Sequence, residues 1–219
     1  MGMPSAQVWH SLLPILLDGF RTTLLLAACS IAVAFVAGLL LAIARRSRHR
    51  AVRNLVRAYV ELVRGTPALT QLFIVFFGLA QYGINLPAFL AAVVGLGLNG
   101  AAYVSEILRA GFESLDDGQR QAALSLGLTP AMTTRYILVP QVLKAMALPL
   151  CAFGVQLLKD TSLASVIATP ELMFRARILV SETYRSAEIY LIVGLLYLSV
   201  TVPFSLTVGW LRRRRLRTA

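Results

Sequence analysis

The chain has 219 residues, 58% of them hydrophobic and 14% charged, about half the charged share of a soluble domain. A soluble core of this size cannot hide that much apolar surface, so lipid is the expected solvent. The net charge of +11 falls in short blocks between apolar runs, with no basic face interleaved with aromatic rings, which argues against nucleic acid as a partner.

In chain order, the opening stretch MGMPSAQVWHSLLPILLDGF lacks a positive n-region and does not read as a cleaved signal peptide. Within residues 1–19, Trp9, Leu12, Leu13, Ile15, Leu16 and Leu17 fit a short interfacial helix. A bilayer crossing needs about 20 mostly apolar residues. Phe20 to Ala44, Phe89 to Leu108 and Ile189 to Trp210 satisfy this, the last with Pro203 expected to kink it. Leu69 to Ala80 becomes long enough only if Ala58 to Ala68 joins it, bringing in Glu61, Arg64 and the breaker Gly65-Thr66-Pro67. Ala145 to Ile167 is interrupted by Gln156, Lys159 and Asp160. Polar interruptions survive in a membrane where they are buried in protein or line a water-filled cavity.

The expectation is therefore an all-α integral membrane domain over residues 20–211 with about five transmembrane helices. A basic tail covers residues 212–219, and no internal repeat is visible. Arg45, Arg46, Arg48, Arg50, Arg53 and Arg57 follow the first span, and Arg212 to Arg215 and Arg217 follow the last. Arg109, Arg120, Arg135 and Lys144 lie between spans three and four. Residues 81–86 carry no basic residue, and Arg175, Arg177 and Arg185 in the loop 169–188 are balanced by Glu171, Glu182 and Glu188. This asymmetry predicts the N-terminus outside, the C-terminus inside, and a cytoplasmic loop over about residues 109–144. The arginine blocks also suit anionic lipid.

That loop contains AALSLGLTPAMTTRYILVP. Asp116 or Asp117 is a natural cap for a helix over about 118–126, and Gly127 suits the left-handed position that ends it. Thr129 caps a second helix with Pro130 in its first position, and Pro140 is expected to break or kink it. Ala122, Ala123 and Leu126 are placed on one face of the first helix. Two readings stand: a plug for a groove in a partner, or an amphipathic helix on the membrane surface. The second calls for large apolar anchors opposite lysines, which are missing here.

The hairpin resembles the signature loop of ATP-binding cassette importer permeases: Glu-Ala-Ala, three residues, Gly, nine residues, Ile-x-Leu-Pro. Gln121, Ala122, Ala123, Gly127 and Ile137-Leu138-Val139-Pro140 match its spacing, with Gln121 for the glutamate and Val139 for the leucine. YVELVRGTPALTQLFIVFFGL, AAYVSEILRAGFESLDDGQRQAALSLGL and LLKDTSLASVIATPEL resemble, in the same order, stretches of the polar amino acid branch of these permeases. The resemblance implies a type I importer permease fold with a cytoplasmic coupling-helix hairpin, in the bacterial inner membrane. It implies as partners an identical or homologous permease subunit, two ATP-binding cassette ATPase subunits seated on the hairpin, and an extracytoplasmic solute-binding protein. The cargo would be a polar amino acid or a related zwitterion such as an opine. No phosphate-binding Gly-x-x-x-x-Gly-Lys-Ser/Thr stretch occurs, so no cofactor is expected on this chain and ATP with magnesium belongs to the partner.

For the pathway or its gate, Lys159, Asp160, Thr161 and Ser162 are the first candidates, because charge in hydrocarbon is costly without a use. Gln71 and Arg64 join them; Glu61 and Arg64, three apart, are spaced to pair. Asn99, Tyr103 and Glu106 share a helical face, with Asn99 suited to an interhelical hydrogen bond and Glu106 to a pair with Arg109. His10 and His49 lack metal-ligand spacing, and no nucleophile–base pair stands out, so the chain is not expected to be an enzyme. A secondary transporter or channel driven by an ion gradient is the alternative. It predicts an inverted repeat, which the sequence lacks, and leaves the hairpin without purpose. A non-transporting scaffold leaves the polar interruptions without purpose.

Overall fold

The computed structural model describes residues 6–216, with side chains from Leu12 to Leu206 apart from Asp117. The side chains of Trp9 and of the basic tail 212–219 lie outside that description. Helix α1 spans Ala6–Ala44, and the expected separate interfacial helix is simply its beginning. Asp18, inside this helix, pairs with Arg175 at 3.3 Å.

α1 packs along α4 (Ala88–Glu113), the most buried helix of the bundle. Small residues permit the approach. A Cβ on Gly97 would sit 2.6 Å from Val33, one on Gly100 2.8 Å from Ala34, and one on Gly38 2.7 Å from Val104. Lipid gives no hydrophobic drive between helices, so close backbone contact supplies dispersion instead.

Between them the chain makes α2 (Arg50–Gly65) and α3 (Ala68–Gln81). The two meet at a bend of 110°, at the Gly65-Thr66-Pro67 breaker. Thr66 is held extended by the following proline, and Pro67 begins α3 from an extended conformation. α2 is amphipathic: Val56 and Val60 are buried on one face, and its arginines occupy others. α3 contains a π-helical turn at Ile74–Gly78 and is too short to cross about 30 Å of hydrocarbon alone.

After α4 comes α5 (Asp117–Ser125), then α6, a continuous rod over Pro130–Ile167. Pro140 does not end it. A π-helical turn at Thr133–Leu138 lies immediately upstream and leaves space where the proline ring and its missing N–H would otherwise cost a regular helix. The last two turns, Thr161–Ile167, tighten to a 3-10 helix stopped by Ala168 in the left-handed conformation, φ +57°.

The segment 169–188, read as a loop, contains α7 (Leu172–Thr183). Leu172, Ala176 and Leu179 of this helix pack with Leu12 and Leu16 of α1 and with Ile189 and Val193 of α8 (Ser186–Leu216). α8 remains helical through Pro203.

Glu171 ties α7 to α1. Its Oε1 accepts from the Phe174 amide at 2.7 Å, capping α7. Its Oε2 accepts from the Thr23 hydroxyl at 3.2 Å, and Thr23 in turn accepts from the Leu172 amide at 3.0 Å. Both side chains are fully buried. Burial pushes the Glu171 carboxyl up from its ordinary 4.5 to about 7, against the hydrogen bonds from the Met173 and Phe174 amides and Thr23. A carboxyl raised in this way stabilises the fold fully below about pH 4.5 and loses that contribution as pH rises through about 7. Thermal midpoints of the purified chain in detergent should fall across that window. Glu171→Gln, neutral at every pH and still an acceptor, should flatten the fall. A variant whose midpoint follows the parental pH profile unchanged would refute the assignment.

Candidate functional site

The hairpin is built by local rules. Asp116 Oδ1 accepts from the Gly118 amide at 2.8 Å and starts α5. At its end the Leu128 amide donates to Ala123 O at 3.2 Å and the Gly127 amide to Leu124 O at 3.0 Å, the paired bonds of a Schellman stop. Gly127 has φ +81°, where an L side chain is strained. Thr129 Oγ1 then accepts from the Met132 amide at 3.3 Å, with Pro130 in the first turn. The sequence reading placed these caps correctly but not the face. Ala123 is buried where α5 packs on the π-helical turn of α6, while Gln121, Ala122 and Leu126 point away. Leu126 is 83% exposed, and Leu124, Met132 and Tyr136 are exposed beside it in the chain.

At the same end of the bundle, Glu106 gathers guanidinium groups from three helices. Arg45, just past α1, donates to Oε2 at 2.9 Å, and Arg109 Nε donates to Oε1 at 2.9 Å. Arg64 at the end of α2 lies 3.9 Å away and sits 5.7 Å from the Tyr103 ring. Arg109 is shared with Glu113. The expected Glu61–Arg64 pair does not form; Arg64 reaches across to α4 instead. The expected Glu106–Arg109 pair does form.

Gln71 holds the bend. Its Nε2 donates to Val63 O at 2.8 Å and to Thr66 Oγ1 at 2.8 Å, and its Oε1 accepts from Asn99 at 3.1 Å. Asn99 thus makes the interhelical bond its position predicted. An open groove of about 230 Å³ runs alongside, lined in part by Tyr59, Thr66, Gln71, Gly95 and Leu98.

Lys159 and Asp160 stand where α6 tightens into its 3-10 turns. Asp160 Oδ1 accepts from Gln156 Nε2 at 2.9 Å, and no ion pair joins it to Lys159. Lys159 is exposed. Thr161 is buried and donates to Leu158 O at 2.6 Å, and Ser162 donates to Lys159 O at 2.8 Å. These hydroxyls quiet the carbonyls released by the change of helix. Among the described residues no hydrogen bond or ion pair links this group to Gln71 or Arg64, so the candidates form two separate sets. Sequence reasoning missed Glu171 and Thr23. The only local signal was Pro170-Glu171 ahead of an apolar run.

Long lipid-compatible helices, one helix broken over a satisfied polar hub, and a rigid hairpin at one end define a multi-pass membrane permease. The family described as "Binding-protein-dependent transport system inner membrane component" matches residues 34–217. The chain is 35% identical over 198 residues to the probable glutamine ABC transporter permease protein GlnM of Bacillus subtilis (strain 168), covering 90% of this chain and 92% of that one. It is 33% identical over 211 residues to the glutamine transport system permease protein GlnP of Escherichia coli (strain K12), covering 95% and 96%. A structure described as an amino acid ABC transporter with histidines superposes with a TM-score of 0.91 at 36% identity, over 97% of this chain and 100% of that one. The inward-facing MetNI methionine ABC transporter shares the fold, with a TM-score of 0.70 at 18% identity over 96% and 99% of the two chains. The chain belongs to the binding-protein-dependent transport system inner membrane component family. It is an ABC transporter permease with the type I importer permease fold.

The Glu106 node is a structural clasp with a measurable strength. Glu106→Gln leaves the three arginines facing one another in a site only 20–22% exposed at Glu106 and Arg45. A loss of about 1–3 kcal/mol of stability is expected. Adding Arg45→Gln should restore part of it by removing a repelling charge. Thermal midpoints equal to the parent's in the single variant would show that the clasp carries nothing.

Proposed function

We propose that this permease translocates a polar amino acid, or a related zwitterion such as an opine, as the membrane subunit of an ATP-driven, binding-protein-dependent importer of the inner membrane. The observation that carries the reading is the hairpin: a helix stopped at both ends by defined caps, with Leu126 83% exposed at its tip. A rigid apolar knob outside the lipid suits a cleft in a soluble partner. The names of the relatives, glutamine and other amino acid permeases, favour the cargo class.

On this reading an ATPase subunit seats on Gln121, Ala122 and Leu126. Gly127, Pro130 and Pro140 fix the hairpin's shape. A second, identical or homologous permease completes the pathway, and a solute-binding protein delivers cargo to the end bearing α7. The arginines at the hairpin end favour a cytoplasmic position for that end, with the N-terminus outside. ATP and magnesium bind the partner, since this chain has no phosphate-binding loop. The ATPase must bind two permease states unequally; a swing from 1:99 to 99:1 requires about 5.5 kcal/mol of difference. Lys159 and Asp160 present a charge of each sign to a zwitterion, with Thr161 and Ser162 holding the helix end beneath them. Gln71 and Arg64 set the position of the bent segment rather than touching cargo.

Co-purification from native membranes should bring down an ATPase subunit, and uptake in vesicles should require ATP. Uptake driven by an ion gradient with no ATPase present would overturn the reading in favour of a secondary transporter. Leu126→Asp should insert normally yet lower substrate-stimulated ATP hydrolysis by about 10-fold or more, equivalent to ~1.4 kcal/mol or more of lost docking. Undiminished stimulation would remove the hairpin from the coupling role. Asp160→Ala should cut uptake while leaving the complex intact; unchanged uptake would make Asp160 purely structural.

A further inference from the structure

A second open groove lies at the opposite end of the bundle from the hairpin, between the 3-10 turns of α6 and helix α7, with Arg177 exposed on its rim. Its volume is about 390 Å³, within the ~300–1,000 Å³ span of small-molecule sites. Val166, Phe174 and Ile178 form apolar walls, and Ser165 and Arg177 supply polar groups.

The two polar groups differ from their neighbours. Arg175 and Arg185, on the same outer segment, are paired with Asp18 and Glu188. Among the described residues no carboxylate, hydrogen-bond acceptor or aromatic ring engages Arg177. Ser165 is 6% exposed, and its hydroxyl makes no hydrogen bond to a described residue. Ser181, also lining the groove, spends its own O–H on Ile178 O at 2.7 Å. The available donors are therefore the five N–H groups of one guanidinium and one hydroxyl, and no acidic residue lines the space.

The backbone here is strained where it shapes the groove. Ala168 has φ +57°, a conformation that costs an L residue about 1–2 kcal/mol and that glycine would adopt freely. Its amide and that of Thr169 close the 3-10 turns onto Ser165 O and Ala164 O. Ala168 itself lines the groove.

We propose that Arg177 and Ser165 form a carboxylate-binding pocket that holds an amino acid by its α-carboxylate at the outer end of the permease, one to two turns of helix beyond Asp160. The guanidinium fork matches a carboxylate in two parallel hydrogen bonds, and the aliphatic part of the cargo lies against Phe174, Val166 and Ile178. With no acid in the lining, the α-ammonium and the polar end of the side chain face water. The pocket therefore selects for the carboxylate and is tolerant of the rest. This assignment rests on the amino acid importer reading above.

The test uses the full chain with its co-purifying subunits in lipid vesicles, and an arginine-selective glyoxal reagent read by mass spectrometry. L-Glutamine and L-histidine are the probes, each beside its α-carboxamide. The free acids should slow labelling of Arg177 by about 3-fold or more, the carboxamides should not, and Arg175 and Arg185 should be unaffected. Arg177→Gln should raise the KM for uptake about 5-fold with the maximal rate within about 2-fold, and Arg177→Lys should fall between. Equal protection by acid and carboxamide, or none by either, overturns the pocket. So does protection that appears only when the solute-binding protein is added, which would make the face a protein-docking surface. Uptake measured in the same vesicles reports separately on the importer reading: continued ATP-dependent uptake with no acid-specific protection removes the pocket and leaves that reading standing.

Discussion

A carbonyl released by a bent helix in hydrocarbon has no water to accept from, and the 110° turn between α2 and α3 releases several. The side chains of Gln71 and Thr66 share that demand. Gln71 donates to Val63 O and to Thr66 Oγ1, while the Thr66 hydroxyl donates to Leu62 O at 2.8 Å. Asn99 then fixes Gln71 from α4. The bend is therefore referenced to the central helix, and the direction in which α2 leaves it follows. That direction brings Arg64 to Glu106, where Arg45 and Arg109 already converge. One satisfied break thus sets the layout of the hairpin end of the bundle.

The other end uses the same logic with an acid. α7 has to stop lying free and pack on α1, and its exposed amides need acceptors. Glu171 provides one oxygen to α7 and the other to Thr23. Gly19 lets the two backbones close: a Cβ there would stand 3.0 Å from Leu172 Cα. The cost of burying the carboxyl appears in its raised protonation range, not in a missing partner.

What the sequence made legible were features governed by a few neighbouring residues. Apolar runs located the spans, and Asp116, Gly127, Thr129 and Pro130 each obey a rule reaching no more than four residues away. What stayed hidden depends on distant partners. The pairing of Asp18 with Arg175, far along the chain, has no local signal. Arg64 had a suitable acid three residues earlier in Glu61 and took Glu106 instead. Helix α7 carried a weak signal because its cap is completed by Thr23 of another helix. Pro140 misled in the opposite sense: the rule that proline breaks a helix is sound, but a π-helical turn upstream absorbs the insult. The candidate pathway residues were found by their cost in lipid. Their division into two sets, one holding the bend and one at the end of α6, is a tertiary fact that spacing does not encode.

The continuity of α6 through Pro140 has a mechanical consequence. The hairpin's second arm, the membrane rod and the 3-10 turns that carry Thr161, Ser162 and Ser165 are one helical body of 38 residues. At ~1.5 Å per residue this is a lever of about 57 Å. A tilt of about 5° at the hairpin moves the far end by about 5 Å, close to one helical turn. A broken helix at Pro140 would have dissipated that motion in the joint. The π-helical turn keeps the rod continuous, and α5, with Ala123 buried and Leu126 exposed, packs on that turn at the base of the rod. The Glu106 clasp and the Gln71 hub tie α1, α2, α3 and α4 together beside the rod. On the importer reading proposed above, α6 is the element that joins the hairpin to the Lys159–Asp160 end, and Leu157 seats it against Leu96, Val104 and Leu108 of α4 and Ala34 of α1.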